Sequence, residues 1–373
     1  MAVTRRRRLL RGLPVPVFAA AGAGAWGAVQ ELRGHPGVRL VPTPRWAAAL
    51  LIAGAVDAEH LPALRRVHDQ TPHPRTAVAW GAGADAAAVP VAARVDGGTD
   101  EVVRALRDAF TALVDDPSIT TADLLPDRDP NEWRGVGPFG QGGEGMMGGT
   151  PYGRPMAMTG DDRDGLALDQ LRLTVGPFLD ALPAALVLDV VLQGDVLQSV
   201  DVVAPSAAVD DTSPGDGRTG AGSPAARRGL RWLSHALHVH GLDALAARAA
   251  ILAAAVGAGA DQAVLSGGMR VLHRRIRRSG VLATLRGVGH VDSASPLGDD
   301  HVRGDARDRW VRRIAAIDDT LRERGQHRAL AGLPRAAHQH LPPLLRGATW
   351  NAAVATIVSL DLDAARRRPA GVA

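Results

Sequence analysis

Hydrophobic and polar positions alternate in two different rhythms along this chain of 373 residues. In the first 115 residues, short apolar runs alternate with stretches of helical periodicity. The run AALLIAGA at residues 48–55 is apolar throughout, which is typical of a strand buried on both faces of a parallel sheet. Further strands are predicted at residues 15–19, 38–41, 76–80 and 90–95, and helices at residues 62–70 and 100–114. Strands that alternate with helices predict an α/β domain with a parallel sheet.

Beyond residue 115 the hydrophobic pattern changes several times along the chain. Residues 116–166 show no strand or helix period, and a stretch of this length is either functional or disordered. Strands at 171–175, 185–192 and 196–203 predict a β-hairpin region, and helices are predicted at 228–240, 242–256, 263–278, 307–324 and 342–360. The predicted parts are a basic arm (1–12), the α/β domain (13–115), a Gly/Pro-rich loop region (116–166), a β-hairpin region (167–203), a flexible linker (204–226), a mainly helical domain (227–365) and a basic tail (366–373).

Composition excludes several kinds of chemistry. Cysteine is absent, which excludes disulfides, a thiolate nucleophile, cysteine-bound zinc and cysteine-held iron–sulfur clusters. Lysine is absent too, so all 43 basic residues are arginine, and they face 39 acidic residues with a net charge of only +4. This excess is small for a nucleic-acid surface. We therefore expect no nucleic-acid partner.

The N-terminus has the composition of an export signal, because four arginines at residues 5–8 precede an apolar stretch. Pro14 and Pro16 interrupt that stretch, which favours a buried strand that enters a glycine-rich turn. No other run reaches about 18 clean apolar residues, so we expect no transmembrane helix. The arginine cluster is either a solvated arm or a contact to an anionic membrane face or an acidic partner.

A glycine-rich motif follows the first predicted strand. Residues 24–32 read GAWGAVQEL, and the chain continues with RRVHDQTPHP at 65–74, WGAGA at 80–84 and VDGG at 95–98. In order and spacing these segments resemble motifs of the 20-kilodalton subunit of NADH:quinone oxidoreductase (complex I) and of the small subunit of nickel–iron hydrogenases. The residues that carry the resemblance are Gly24, Gly27, Glu31, Arg66, Asp69, Gln70, Pro72, Pro74 and Gly81.

The resemblance covers residues 13–115 and implies a flavodoxin-like fold. In the family, four cysteines at these motifs bind an iron–sulfur cluster, whereas here the corresponding positions hold Ala25, Ala28, Gly83 and Gly98. None of these side chains can ligate iron. The resemblance therefore implies a domain that keeps the fold without the redox centre, with Glu31 left as a partner for arginine or as a helix cap. The alternative is an unrelated flavodoxin-like domain, since such domains commonly have glycine turns after their strands.

A weaker resemblance involves residues 171–203, which are similar to the opening of the 49-kilodalton subunit, a relative of the hydrogenase large subunit. Gly176 and Pro177 match that family's G-P-x-H-P motif, but its histidine is missing here. The helical domain would then be a shortened counterpart of the larger subunit, without its metal ligands. Together the two resemblances imply a fusion of two neighbouring subunits.

Two other groups of residues are candidates for ligand binding. Met146, Met147, Tyr152 and Met156 would suit a flexible apolar wall of a quinone-like cavity, unless the loop region has no such role. His235 and His238 share a helix face near Asp243, which is compatible with a metal site or with a partly exposed helix end. The basic runs at 273–278 and 366–368 are either solvated faces or patches for an acidic partner or anionic lipid.

These observations predict a cluster-free subunit of a complex-I-like or energy-converting-hydrogenase-like complex, with a structural or regulatory role. Its expected partners are the other subunits of a membrane-bound oxidoreductase complex, and its expected location is the cytoplasmic face of the cell membrane. We expect no cofactor, no metal and no catalytic residue. The alternatives are a stand-alone oxidoreductase with a quinone-like or other cofactor between its domains, and a soluble regulatory scaffold.

Overall fold

The computed structural model begins with a parallel sheet. It describes residues 12–22, 24–81, 88–126, 158–161, 165–184, 186–203, 223–297, 300–322, 330, 332–333 and 335–362. The sheet consists of β1 (Val15–Ala21), β2 (Val38–Leu40), β3 (Ala49–Ala53), β4 (Thr76–Trp80) and β5 (Ala93–Val95). All pairings are parallel and the strand order is β2-β1-β3-β4-β5. This is the flavodoxin-like order, as the sequence predicted.

Helices pack on both faces of this sheet. They are α1 (Trp26–Leu32), α2 (Leu61–Gln70) and α3 (Thr99–Asp115). Every residue of β3 and β4 is buried, and successive side chains of these strands contribute alternately to two different hydrophobic clusters. The run at residues 48–55 is apolar throughout because β3 is covered on both faces of the sheet, so every one of its side chains is buried. Helix α1 was not among the predicted elements, because seven residues are too few to show a helical period.

A second, antiparallel sheet follows. It contains β6 (Met158–Asp161), β7 (Ala167–Val175), β8 (Leu188–Gln193) and β9 (Val196–Val202), in that order. The prediction of a region without secondary structure at 116–166 was wrong for β6, whose four residues form a strand by pairing with β7. One face of β8 and β9 packs with the last helices in a single hydrophobic cluster.

The last part of the chain is mainly helical. Its helices are α4 (Pro224–Val239), α5 (Asp243–Gly257), α6 (Gln262–Ser279), α7 (Val281–Thr284), α8 (Ala306–Leu321), α9 (Leu341–Leu345) and α10 (Trp350–Leu360). The single helix predicted at 342–360 was wrong, because α9 ends where Arg346 adopts an extended backbone, and Gly347 follows with a φ of +77°. The hydroxyl of Thr349 then accepts a hydrogen bond from the Ala352 N–H at 3.3 Å and caps α10. Among the described helices, none is both long enough and apolar enough to cross a membrane.

Candidate functional site

The first motif forms the turn between β1 and α1. A Cβ atom on Gly22 would lie 1.8 Å from the carbonyl oxygen of Ala55, so only glycine fits there. Gly24 has a φ of +75°, a conformation that glycine adopts without strain. The turn places Ala25 at the N-cap of α1 and Ala28 in its first turn, and both side chains are buried. The motif therefore lies on a turn directly after β1, as the sequence predicted, and the helix α1 that follows the turn was not predicted.

The environment of the predicted ligand positions does not fit an iron–sulfur cluster. Ala25 and Ala28 belong to one apolar cluster with Trp80, whose indole N–H donates a 2.9 Å hydrogen bond to the carbonyl of Gly97. Gly98 is the N-cap of α3, and its carbonyl oxygen accepts hydrogen bonds from the backbone N–H groups of Glu101 and Val102. These three positions offer no side-chain atom that could bind iron, so the residues do not fit the group that the family carries.

Glu31 lies at the contact between the α/β domain and the helical part, and it is 3% exposed. Its Oε1 accepts hydrogen bonds from Arg227 Nε and Arg231 Nε, each at 2.7 Å, and its Oε2 accepts one from Arg227 Nη2 at 2.9 Å. Both arginines belong to α4. A Cβ atom on Gly27 would lie 3.2 Å from the Arg231 side chain, so the glycine of the motif lets that arginine cross α1 closely.

The surroundings of Glu31 favour its charged form. Burial by itself raises the pKa of this carboxyl group, but the hydrogen bond from Arg227 and the charges of Arg231 and Arg227 outweigh it. The pKa of Glu31 therefore lies below its ordinary value. Of the two roles open from sequence, partner for arginine and helix cap, the structure shows the first. We call the contact of Glu31 with Arg227 and Arg231 the glutamate clamp.

A second charged contact extends the same interface. Arg33, directly after α1, donates from Nη2 to both carboxylate oxygens of Asp180, at 2.7 and 2.9 Å. Asp180 also contacts His238 Nε2 at 2.9 Å, and His238 Nδ1 contacts Asp243. Burial raises the pKa of Asp180, but the hydrogen bond with His238 and the charge of Arg33 outweigh this and hold it well below its usual range. Both ring nitrogens of His238 thus face carboxylates, and neither is left over for a metal ion.

His235 is buried in the same interface. Its Nε2 contacts the backbone oxygen of Asp180 at 2.8 Å, and its ring meets Trp26 edge to face, with the centroids 4.3 Å apart. Burial lowers the pKa of His235 to about 3, so the ring is neutral and its Nε2 is the donor in this contact. The predicted pair of His235 and His238 therefore joins α4 to α1 and to the residues before β8.

The DQTPHP motif organises a different contact, between α2 and the residues that follow α3. Asp69 accepts the backbone N–H groups of Leu124 and Leu125, at 2.8 to 3.1 Å. Burial raises the pKa of Asp69, but these two N–H groups and His68 lower it by more. Arg66 and Gln70, two other polar residues that carry the resemblance, are exposed. The motif therefore fixes a chain segment, and only part of it contributes.

Arg75 is the buried cation of this second contact and is 1% exposed. Its Nη1 donates to the backbone oxygens of Asp69 and Thr71, at 3.2 and 3.0 Å, and its Nη2 pairs with Asp123. The neighbouring His68 contacts Asp69 and Thr121 through its two ring nitrogens, at 2.8 and 2.9 Å. The resemblance pointed to Arg66, which is exposed, whereas the buried cation of this contact is Arg75, which no sequence pattern singled out.

The remaining predicted positions have simple locations. Pro72 and Pro74 are exposed, and the His73–Pro74 peptide is cis. Gly81 has a φ of +90°, and its N–H donates to Val95 O at 2.7 Å, so it ends β4 beside β5. Gly83, Met146, Met147, Tyr152 and Met156 lie outside the described residues.

The two arginines of the glutamate clamp were also missed from sequence. Arg227 and Arg231 are four residues apart and lie together on one flank of α4, next to the face that carries the buried Ala226, Leu230 and Leu233. Arginines are rarely buried without a partner, so this spacing on an apolar helix signals a buried carboxylate elsewhere in the chain. The sequence does not tell which carboxylate that is.

Comparisons with known proteins add no identification. No protein-family model matches this chain, and no curated protein matches it. The resemblance to the 20-kilodalton subunit therefore stays a prediction from the motifs.

Proposed function

We propose that this protein is a cluster-free structural subunit of a membrane-associated oxidoreductase complex of the complex-I or energy-converting-hydrogenase type. The observation that carries the proposal is how the side chains of the first motif, residues 24–32, are packed and paired. Its ligand positions Ala25 and Ala28 are filled with apolar packing, while Glu31 is neutralised by arginines of the chain's own helical part.

The interface between α1 and α4 supports a structural role. Charges that are buried and fully paired favour one relative position of two elements, because any displacement leaves an unpaired charge in a dry environment. Here Glu31 is held by two arginines and Asp180 is held by Arg33 and His238. A motif that serves electron transfer in the family would thus serve here to hold two parts of the chain together.

The proposal is tested by affinity purification of the tagged full chain from detergent-solubilised membranes of the cells that naturally make it. We expect membrane-embedded, antiporter-like subunits to co-purify in near-stoichiometric amounts, and iron and acid-labile sulfide to be far below one cluster per chain. The variant Glu31→Gln should recover fewer of these subunits, whereas Glu101→Gln, an exposed glutamate on α3, should match the unmodified chain.

Two outcomes would overturn the proposal. One is a chain that occurs only as a free monomer in the high-speed supernatant, which would favour the regulatory scaffold. The other is stoichiometric iron and sulfide that co-elute with the chain. A quinone-like molecule that co-purifies with the chain alone would instead favour the stand-alone oxidoreductase.

A further inference from the structure

A basic groove with a volume of about 550 Å³ opens between α6 and α8. Besides His273, it is lined by Arg270, Arg274, Arg277, Arg278, Arg322 and Asp318. The five arginines against one carboxylate give an excess of four positive charges. The whole chain has a net charge of +4, so outside this groove the positive and negative charges of the chain balance.

The arrangement of these cations follows from the period of α6. At about 100° per residue, Arg270, Arg274 and Arg277 fall within an arc of about 60° on one flank of the helix. The buried face of α6 carries Leu265, Met269, Leu272 and Ile276. Arg275 falls on the opposite flank of α6 and does not line the groove. The packing of α6 beside α8 therefore divides the basic run at 273–278 into four groove residues, the buried Ile276 and Arg275, which lies outside the groove.

Four of the five groove arginines have no internal partner among the residues that the structure describes. Arg270, Arg274, Arg277 and Arg278 are exposed, and within the described part of the chain none of them has a hydrogen-bond or ion-pair partner. Arg322, in contrast, pairs with Asp318 at 2.7 Å. The last-turn position of Arg277 and Arg278 is favourable for the helix dipole, but this does not account for the two arginines further from the end of the helix. Like charges three or four residues apart destabilise a helix by about 0.2–0.5 kcal/mol per pair.

We propose that this groove binds a soluble ligand with several closely spaced phosphate groups. Its volume lies within the range of small-molecule sites, about 300–1,000 Å³. Guanidinium groups match phosphate oxygens in a bidentate geometry, and four of them are available once Asp318 is neutralised by Arg322. A concave, charge-lined groove suits a compact polyanion better than a flat membrane surface. The proposal is independent of the function proposed above.

The test uses isothermal titration calorimetry of the full chain with inorganic tripolyphosphate at about 0.15 M salt. We expect saturable binding with about one site per chain. The double variant Arg274→Ala/Arg277→Ala should bind roughly tenfold or more weakly for each arginine removed, since hydrogen bonds to charged groups are among the stronger ones. The matched control is Arg275→Ala, which removes the same charge from the other flank of α6 and should bind as the unmodified chain does.

Three results would overturn the proposal. They are the absence of saturable binding, an equal loss in Arg275→Ala, and unchanged affinity in a double variant whose circular dichroism shows an intact fold. A parallel arm uses sedimentation with phosphatidylcholine vesicles that contain phosphatidylserine. If the double variant loses vesicle binding while tripolyphosphate does not bind to the unmodified chain, the groove recognises a lipid surface and the assignment to a soluble ligand is wrong.

Discussion

Replacement of Glu31 by glutamine tests how strongly the α/β domain is held against the helical part. The substitution keeps the volume of the side chain and removes its charge. Arg227 and Arg231 then lose their shared carboxylate, whose Oε1 lies 2.7 Å from both Nε atoms. One amide oxygen remains as an acceptor, but the amide nitrogen is a donor that faces the guanidinium N–H groups, which are donors too.

The expected loss is large for a single substitution. Removal of one partner from a buried ion pair costs about 3–5 kcal/mol. The Arg231 side chain is only 9% exposed, whereas that of Arg227 is 21% exposed and regains some hydration. We therefore expect Glu31→Gln to lower the free energy of unfolding by about 2–4 kcal/mol.

The assay is urea unfolding at pH 7, followed by tryptophan fluorescence, because Trp26 lies in the same interface. Glu101→Gln is the control, and it should cost less than about 1 kcal/mol because only a helix-dipole contribution is lost.

The difference in unfolding free energy between Glu31→Gln and the unmodified chain also depends on pH. A carboxyl group whose pKa is lower in the folded state stabilises the fold above its ordinary pKa, and this contribution is lost as the pH falls through the lower folded value. The gap between Glu31→Gln and the unmodified chain should therefore be full at pH 7 and shrink below about pH 4.5, the ordinary value for glutamate.

The reasoning would be refuted if Glu31→Gln were no more destabilising than Glu101→Gln. It would also be refuted if the gap between Glu31→Gln and the unmodified chain stayed constant as the pH fell from 7 to 3.

Three further predictions concern other parts of the fold, and all are measured as changes in the urea midpoint. Arg75→Ala should cost about 2–4 kcal/mol because it removes a buried cation with several acceptors, whereas Arg66→Ala on the exposed face of α2 should stay within about 0.5 kcal/mol; equal effects would contradict the assignment. Gly22→Ala should cost about 2 kcal/mol or more through the backbone clash with Ala55, whereas Gly267→Ala in α6, where a Cβ meets nothing within 4 Å, should gain about 0.5–1 kcal/mol. His235 has a folded pKa lowered to about 3, so below its ordinary value of 6.5 the unfolded state takes up a proton first and stability falls as the pH drops towards 3. His235→Gln should remove that part of the acid sensitivity, and a pH slope identical to that of the unmodified chain would contradict it.

The sequence determined most strands and both longer helices of the α/β domain, although β5 (Ala93–Val95) covers only half of the strand predicted at 90–95. Strand β4 has the predicted bounds, and the predicted helices at 62–70 and 100–114 differ from α2 and α3 by one residue at most at each end. The reason is local, because burial on two faces requires continuous apolar runs and burial on one helix face requires a repeat of three to four residues. Short elements such as α1 and β6 were missed because they show no period of their own and depend on their neighbours.

The sequence also located the motif of the candidate site, but the tertiary structure alone decided what the motif does. The partners of Glu31 lie 196 and 200 residues further along the chain, and no local pattern selects them. No local pattern showed that Arg75 rather than Arg66 is the buried cation. Nor did any local pattern show that Arg275 lies outside the groove that the neighbouring arginines line. Ion pairs and grooves depend on which helix faces meet, and that is set by packing between distant elements rather than by the order of residues within one of them.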